Sequence, residues 1–208
     1  VQFSMINLQA GESLPKEVRN LKYLESFAVT SNANNQIREV ELGEDICELP
    51  YLKSLTVQAY GLTHLPSNFK KLGNTLETLN LVSNNFNKLS DITDVVNEEN
   101  FPHLRNLIIY AQRRNDVCID LSGLDRNSDG NLVYNGNPIG LYGNISAGTS
   151  DRQALLKLLT WDKLNALELS YCYLEGELPT DDEMDVALEA AGKRTRYNAS
   201  DFSTDKSQ

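Results

Sequence analysis

Five stretches of this chain repeat one pattern, with apolar residues at the first, fourth and sixth places of a nine-residue block. They are LESFAVTSN (24–32), LKSLTVQAY (52–60), LETLNLVSN (76–84), LRNLIIYAQ (104–112) and LNALELSYC (164–172). Successive starts lie 28, 24, 28 and 60 residues apart. In a short strand, neighbouring side chains point to opposite faces. Leu79 and Leu81 therefore point one way, and Thr78, Asn80 and Val82 the other. A single block cannot cover its own apolar face and must stack on its neighbours. The last step equals about two ordinary ones and predicts that one unit is replaced or degenerate.

The segments before the blocks repeat too. LPKEVRNLKYL (14–24), LGEDICELPYL (42–52) and LPSNFKKLGNTL (65–76) carry apolar residues at the first, fifth and eighth places. This spacing puts Leu14, Val18 and Leu21 on one side of a helical or 3-10 turn. ALLKLLTWDKL (154–164) supplies a similar segment before the last block. Steps of 24 and 28 residues fall within the period of leucine-rich repeats. Over about residues 14–179, with a gap at 113–153, the chain resembles that family. LELSYCYLEGELP (167–179) resembles its extracellular type, and the mixture of units resembles secreted bacterial repeat proteins.

The resemblance implies an α/β fold: a solenoid with a curved parallel sheet on its concave face and short helices or 3-10 turns on its convex face. Residues 1–13 would be a lead-in or N-terminal cap. The resemblance also gives Asn84 the role of an interior asparagine bonded to backbone, with Asn32 at the matching place. Tyr60, Gln112 and Cys172 stand there in the other units; the resemblance admits cysteine, while Tyr60 and Gln112 predict a broken asparagine ladder.

The two irregular regions carry their own signals. Residues 113–153 hold half of the chain's 12 glycines, with Asp129-Gly130 and Asn135-Gly136 as turn dipeptides. CIDLSGL (118–124) and NLVY (131–134), joined by DRNSDG, are expected to form a projecting hairpin. DRNSDGN (125–131) also resembles the first half of a calcium loop, with Asp125, Asn127 and Asp129 as oxygen ligands. Its twelfth position is Gly136 where such a loop needs a bidentate Glu; the plain turn is the competing reading. Residues 180–208 read as a short capping helix and a loose polar tail. Thr180 and Glu183 form a capping box, Gly192 is a stop, and Met184, Val186, Leu188 and Ala191 are the apolar side.

Composition narrows the function. The 208 residues carry 19 basic against 29 acidic side chains, a net charge of −10, with no basic stripe, which disfavours nucleic acid as a partner. No apolar run is long enough to span a bilayer, so membrane insertion is not expected. The three cysteines, Cys47, Cys118 and Cys172, form no CxxC pair and read as small buried hydrophobes. His64 and His103 are the two histidines, both near strand ends, and no nucleophile, zinc or phosphate-loop motif accompanies them. A non-catalytic role is expected, without a cofactor.

The expected ligand surface is the outward face of the strands. Thr56, Gln58, Asn80, Val82, Ile108, Tyr110 and Glu168 are its candidate residues, with Ile108 and Tyr110 as an apolar centre in a polar surround. Packing of that centre beneath the 113–153 insertion is the competing reading. Protein is the first expected partner. A glycan held by Tyr110, Tyr171 and Tyr173 is an alternative, and a structural spacer within a larger surface protein is another. Secretion or cell-surface display follows from the family resemblance.

Overall fold

A computed structural model describes residues 1–8, 14–31, 42–112, 124–128, 132–134, 136–138, 141–170 and 172–193. The strands are β1 (Gln2–Leu8), β2 (Ser26–Ser31), β3 (Ser54–Gln58), β4 (Thr78–Asn80), β5 (Asn106–Ile108), β6 (Leu124–Arg126), β7 (Leu132–Tyr134), β8 (Asn137–Pro138), β9 (Tyr142–Asn144), β10 (Ala166–Glu168) and β11 (Tyr173–Glu175). Helices α1 (Ser90–Thr93), α2 (Ser150–Leu159) and α3 (Asp181–Ala190) join three 3-10 turns at Lys16–Asn20, Glu44–Glu48 and Phe69–Asn74. The architecture is α/β. Six strands form one parallel sheet in the order β1-β2-β3-β4-β5-β10.

Register follows the sequence repeat. Phe3, Phe27, Leu55, Leu79, Leu107 and Leu167 lie side by side as partners across the sheet. All of the four inner members are fully buried. The upstream segments supply the opposite wall of the core: Leu42, Ile46 and Leu49 from one unit, Leu65, Phe69 and Leu72 from the next. Leu14 and Val18 do the same in the first unit, but Leu21 is 38% exposed. It lies in the first layer, beside the β1 end. Units also touch closely where side chains are absent: a Cβ on Gly73 would fall 1.7 Å from the Asn100 carbonyl oxygen.

One expectation is corrected by the sheet order. β5 bonds directly to β10, so no sheet strand is replaced or degenerate within the 60-residue step. The chain instead leaves the repeated path after Gln112 and rejoins it at Leu141, whose N–H donates to the Gln112 carbonyl at 2.9 Å. From there the ordinary path resumes through β9 and α2. Residues 141–153 thus belong to the ordinary path, and most of residues 113–140 lie outside the described residues.

Within the excursion, β6, β7 and β8 make a small antiparallel sheet. A hairpin forms as expected, with Leu124–Arg126, whose Asp125 and Arg126 were expected in the joining turn, paired with Leu132–Tyr134. Most of the CIDLSGL segment, residues 118–123, lies outside the described residues.

The asparagine ladder is also different from its sequence expectation. Asn84 is fully buried and donates to the carbonyls of Val57 at 2.7 Å and Leu81 at 2.8 Å. Its oxygen accepts from the N–H groups of Tyr60 and Leu62, both at 3.2 Å. Gln112, equally buried, donates to the Leu81 carbonyl at 2.6 Å and accepts from Phe86 N–H at 3.4 Å. The Cys172 thiol reaches the Ile109 carbonyl at 3.4 Å and accepts from the Gln112 N–H. Val57, Leu81 and Ile109 all stand at the sixth place of their blocks. The ladder is continuous from Asn84 through Gln112 to Cys172, because each side chain meets the same backbone demand.

Each of these blocks ends with a non-glycine residue in the left-handed region: Ala59 (φ 52°), Ser83 (φ 58°) and Ala111 (φ 56°). That conformation costs roughly 1–2 kcal/mol per residue. It is held in place by an N–H bond to the seventh carbonyl of the next unit, Val82, Tyr110 or Ser170, at 3.1, 3.0 and 2.9 Å.

Helix α3 begins with the expected capping box between Thr180 and Glu183. Met184 and Leu188 are buried, whereas Val186 is 66% exposed and Ala191 is exposed. The helix follows β10 and β11 in the chain. It stands to β10 and β11 as α2 stands to β5 and β9: β9 and β11 pair in parallel, and α3 packs on α2. The join is made by Arg152, 4% exposed, whose guanidinium donates to the carbonyls of Ile145, Glu177 and Leu178 and to both Glu183 carboxylate oxygens.

Two outcomes are expected from these contacts. Asn84→Asp keeps the shape but cannot donate to Val57 and Leu81; it should lose about 2–4 kcal/mol at neutral pH. Relative to wild type at each pH, the loss should shrink in acid as the carboxyl takes up a proton, measured by urea unfolding. The second concerns acid stability. Arg152, then the Thr180 N–H, hold the Glu183 carboxyl down to about 2 from its ordinary 4.5. Its folded value is depressed, so its contribution is complete above about 4.5 and disappears as pH falls toward 2. Wild type should melt above Glu183→Gln at neutral pH, with the gap closing across that acid window; a pH-independent gap would refute the ion-pair account.

Candidate functional site

The inward register leaves the third, fifth and seventh residues of each block on the outward face. From β2 to β10 these are Ser26, Ala28 and Thr30; Ser54, Thr56 and Gln58; Thr78, Asn80 and Val82; Asn106, Ile108 and Tyr110; Ala166, Glu168 and Ser170. The structure brings all seven candidate residues onto this one face. Registers place Thr56 beside Asn80, Asn80 beside Ile108, and Ile108 beside Glu168. Gln58 and Tyr110 are exposed, Val82 and Ile108 half-buried. Tyr110 is 36% exposed, and most of residues 113–140, beneath which the competing reading places it, lie outside the described residues.

The face is nearly uncharged. Glu168 is the only one of those outward residues that is charged at neutral pH, in a chain of 23% charged residues. Its carboxylate accepts from the Ser170 hydroxyl and from the Ser170 N–H at 3.1 Å. Those bonds, the hydroxyl first, lower its pKa and fix it as an anion. Asn80 is similarly folded back, accepting from Val82 N–H at 3.0 Å, and Asn106 donates to the Thr78 hydroxyl at 3.0 Å. Several polar side chains are thus held in place before any ligand arrives. Charges gather at the second place instead, where Glu25 and Lys53 lie 3.5 Å apart. That pair is solvent-exposed and contributes little to stability.

The other candidates are placed differently. Asp125 is in β6 opposite Val133, and its carboxylate accepts from the N–H of Arg126 at 2.8 Å. Asn127 follows the strand, and Asp129 lies outside the described residues. Among the described residues, no three His, Cys, Asp or Glu side chains converge on a point. Tyr173 is in β11, while Tyr171 lies outside the described residues. His64 is exposed and bonds the Thr63 hydroxyl at 3.1 Å, and His103 is exposed. Cys118 lies outside the described residues.

Two concavities lie away from the outward face. A cleft of about 280 Å³ runs between Leu42–Glu44 and His64–Ser67. A larger one of about 980 Å³ lies between the 90–99 segment and α2, with Asp94 and Glu99 on one wall, Lys157 on the other and Trp161 among its lining. No part of the repeat pattern signalled the larger cleft, which arises where α2 follows the excursion. Among the described residues, no helix is long and apolar enough to cross a membrane.

No protein-family model, curated protein or solved structure matches this chain. The assignment of function therefore rests on the geometry of the face and on the repeat itself.

Both described thiols are structural. Burial, with Glu44 next, pushes Cys47 up to about 12, and burial pushes Cys172 up to about 11. Thiolate is the reactive form. In the native chain at mildly alkaline pH, peptide mass spectrometry should find both unmodified by iodoacetamide, and both modified after denaturation. Rapid native labelling of either would contradict the burial that places them.

Proposed function

We propose that the chain is a leucine-rich-repeat solenoid that recognises a protein, without catalysis, through the concave face of its sheet. The observation that carries this reading is the charge depletion of the outward face. Interface centres are marked by loss of charged residues and enrichment in aromatics, within a more polar rim. Here Val82, Ile108 and Tyr110 stand together on adjoining strands, flanked by Gln58 and Asn80. A rigid parallel sheet with side chains already bonded in place loses little entropy on binding. The hairpin of β6 and β7 is tied to β11 through Arg126 and Glu175 at 3.1 Å and supplies a second contact edge. Export to the cell surface or beyond accompanies the reading, on the strength of the LxGxxP-like ending at 174–179.

A second reading has one observation in its favour. The hydroxyls and amides of Ser54, Thr56, Gln58, Thr78, Asn80 and Asn106 form a neutral hydrogen-bonding field beside Tyr110, which also suits a sugar.

The test compares wild type with the Ile108→Ala/Tyr110→Ala double variant, immobilised side by side against neighbouring-cell extract and a glycan array. Both side chains are partly exposed, so melting temperature should stay close to wild type. Proteins retained by wild type and lost by the variant are the expected outcome. A glycan lost instead moves the assignment to the second reading. Identical retention by the two forms, or none by either, would leave the chain as a spacer.

A further inference from the structure

We propose that the cleft between the 90–99 segment and α2 is a second binding site, one that takes a short apolar peptide with both ends free and charged. It is separate from the outward face and does not depend on the ligand assigned there. At about 980 Å³ the cleft stands at the upper end of the roughly 300–1,000 Å³ typical of ligand sites. Like such sites, it combines an apolar lining with a small number of polar groups. Val96, Leu158 and Trp161, all buried, supply the apolar part.

The first observation is a donor without a partner. Trp161 is 1% exposed and lines the cleft, yet its indole N–H meets no acceptor among the described residues. Only one other buried side-chain polar atom among those residues, the Asn87 oxygen, is left in that state. Buried donors in folded proteins are nearly always paired. Other polar groups around the cleft are already used. Lys193 donates to the Glu98 carboxylate and, at 2.7 Å, to the Thr160 carbonyl, while the Thr160 hydroxyl donates to the Leu156 carbonyl at 2.7 Å. The unmet indole therefore calls for an acceptor seated in the cleft, and the amide carbonyl of a peptide is one.

The second observation is how the remaining charges divide. Asp94 and Glu99 stand on one wall and Lys157 on the other, all three exposed. Among the described residues none of the three enters an ion pair, whereas Glu98 and Lys193 neutralise each other. An ammonium group suits the first wall and a carboxylate the second, with the apolar lining shared between them. A free peptide carries those groups in that order: a cationic start, amide carbonyls, apolar side chains and an anionic end. A simple cation would leave Lys157 and the indole unmatched, and a fatty anion would leave both carboxylates so.

Trp161 is the only tryptophan in the chain, so its fluorescence reports on this cleft. Titrating the full 208-residue chain with trileucine should shift the emission saturably, and calorimetry should return the same Kd. Acetylating the amino end of the peptide, or amidating its carboxyl end, should each weaken binding about tenfold, the worth of one charge-assisted bond. Lys157→Gln should bind free trileucine more weakly and become indifferent to amidation, while Asp94→Asn/Glu99→Gln should become indifferent to acetylation. All three side chains are exposed, so circular dichroism should show these variants folded. The Ile108→Ala/Tyr110→Ala variant should bind trileucine as wild type does, which separates this site from the outward face. Emission unmoved by trileucine up to its solubility limit overturns the proposal. Equal affinity for the free and the doubly blocked peptide also overturns it, since the walls would then play no part.

Discussion

The structure depends on satisfying the carbonyl at the sixth place of three successive blocks, those of Val57, Leu81 and Ile109. At that point the strand gives way to a turn, and the sheet no longer offers every backbone group a partner. A buried carbonyl left without a donor would cost on the order of 1–3 kcal/mol. Asn84 meets the demand for Val57, Gln112 for Leu81 and Cys172 for Ile109. Each belongs to the following unit, so the bond that finishes one turn also fastens the next unit against it. Apolar burial drives the units together, while this bond sets their register.

The same arrangement explains why a 28-residue detour, between Gln112 and Leu141, leaves the sheet intact. The chain departs just after the ladder side chain of its unit has been used, and the returning Leu141 N–H bonds the departure residue itself. Neither the strand before the detour nor the helix after it has to shift. Closing a longer loop costs little more than closing a short one, since the entropy term grows only logarithmically. An excursion there is cheap in stability, and it ties β6 to β11 through Arg126 and Glu175 while β5 and β10 stay paired.

How much of this was legible in the sequence depends on which physical rule governs each position. The inward leucines were readable because strand alternation leaves no other place for residues such as Leu79 and Leu107. The outward candidates followed from the same alternation, and all seven lie on one face. Gln112 was misread because residue identity was taken for function: its side chain is one methylene longer than that of asparagine but offers the same donor and acceptor. The 60-residue step was read as one unit replaced or degenerate, because spacing alone cannot distinguish an altered strand from a loop between strands that pair directly. The large cleft between α1 and α2 had no sequence signal, since it depends on where two helices from different units come to rest. The capping box of α3 was plain from Thr180 and Glu183.

The chain separates charge by position along each strand. The outward face carries one carboxylate, Glu168, and short, pre-bonded polar groups around Ile108 and Tyr110. Glu25, Lys53, Glu77 and Arg105 occupy the second place of their blocks instead, with Glu25 beside Lys53. Alternation along a strand points second-place side chains away from the third, fifth and seventh, so the charged residues do not stand among the outward rows.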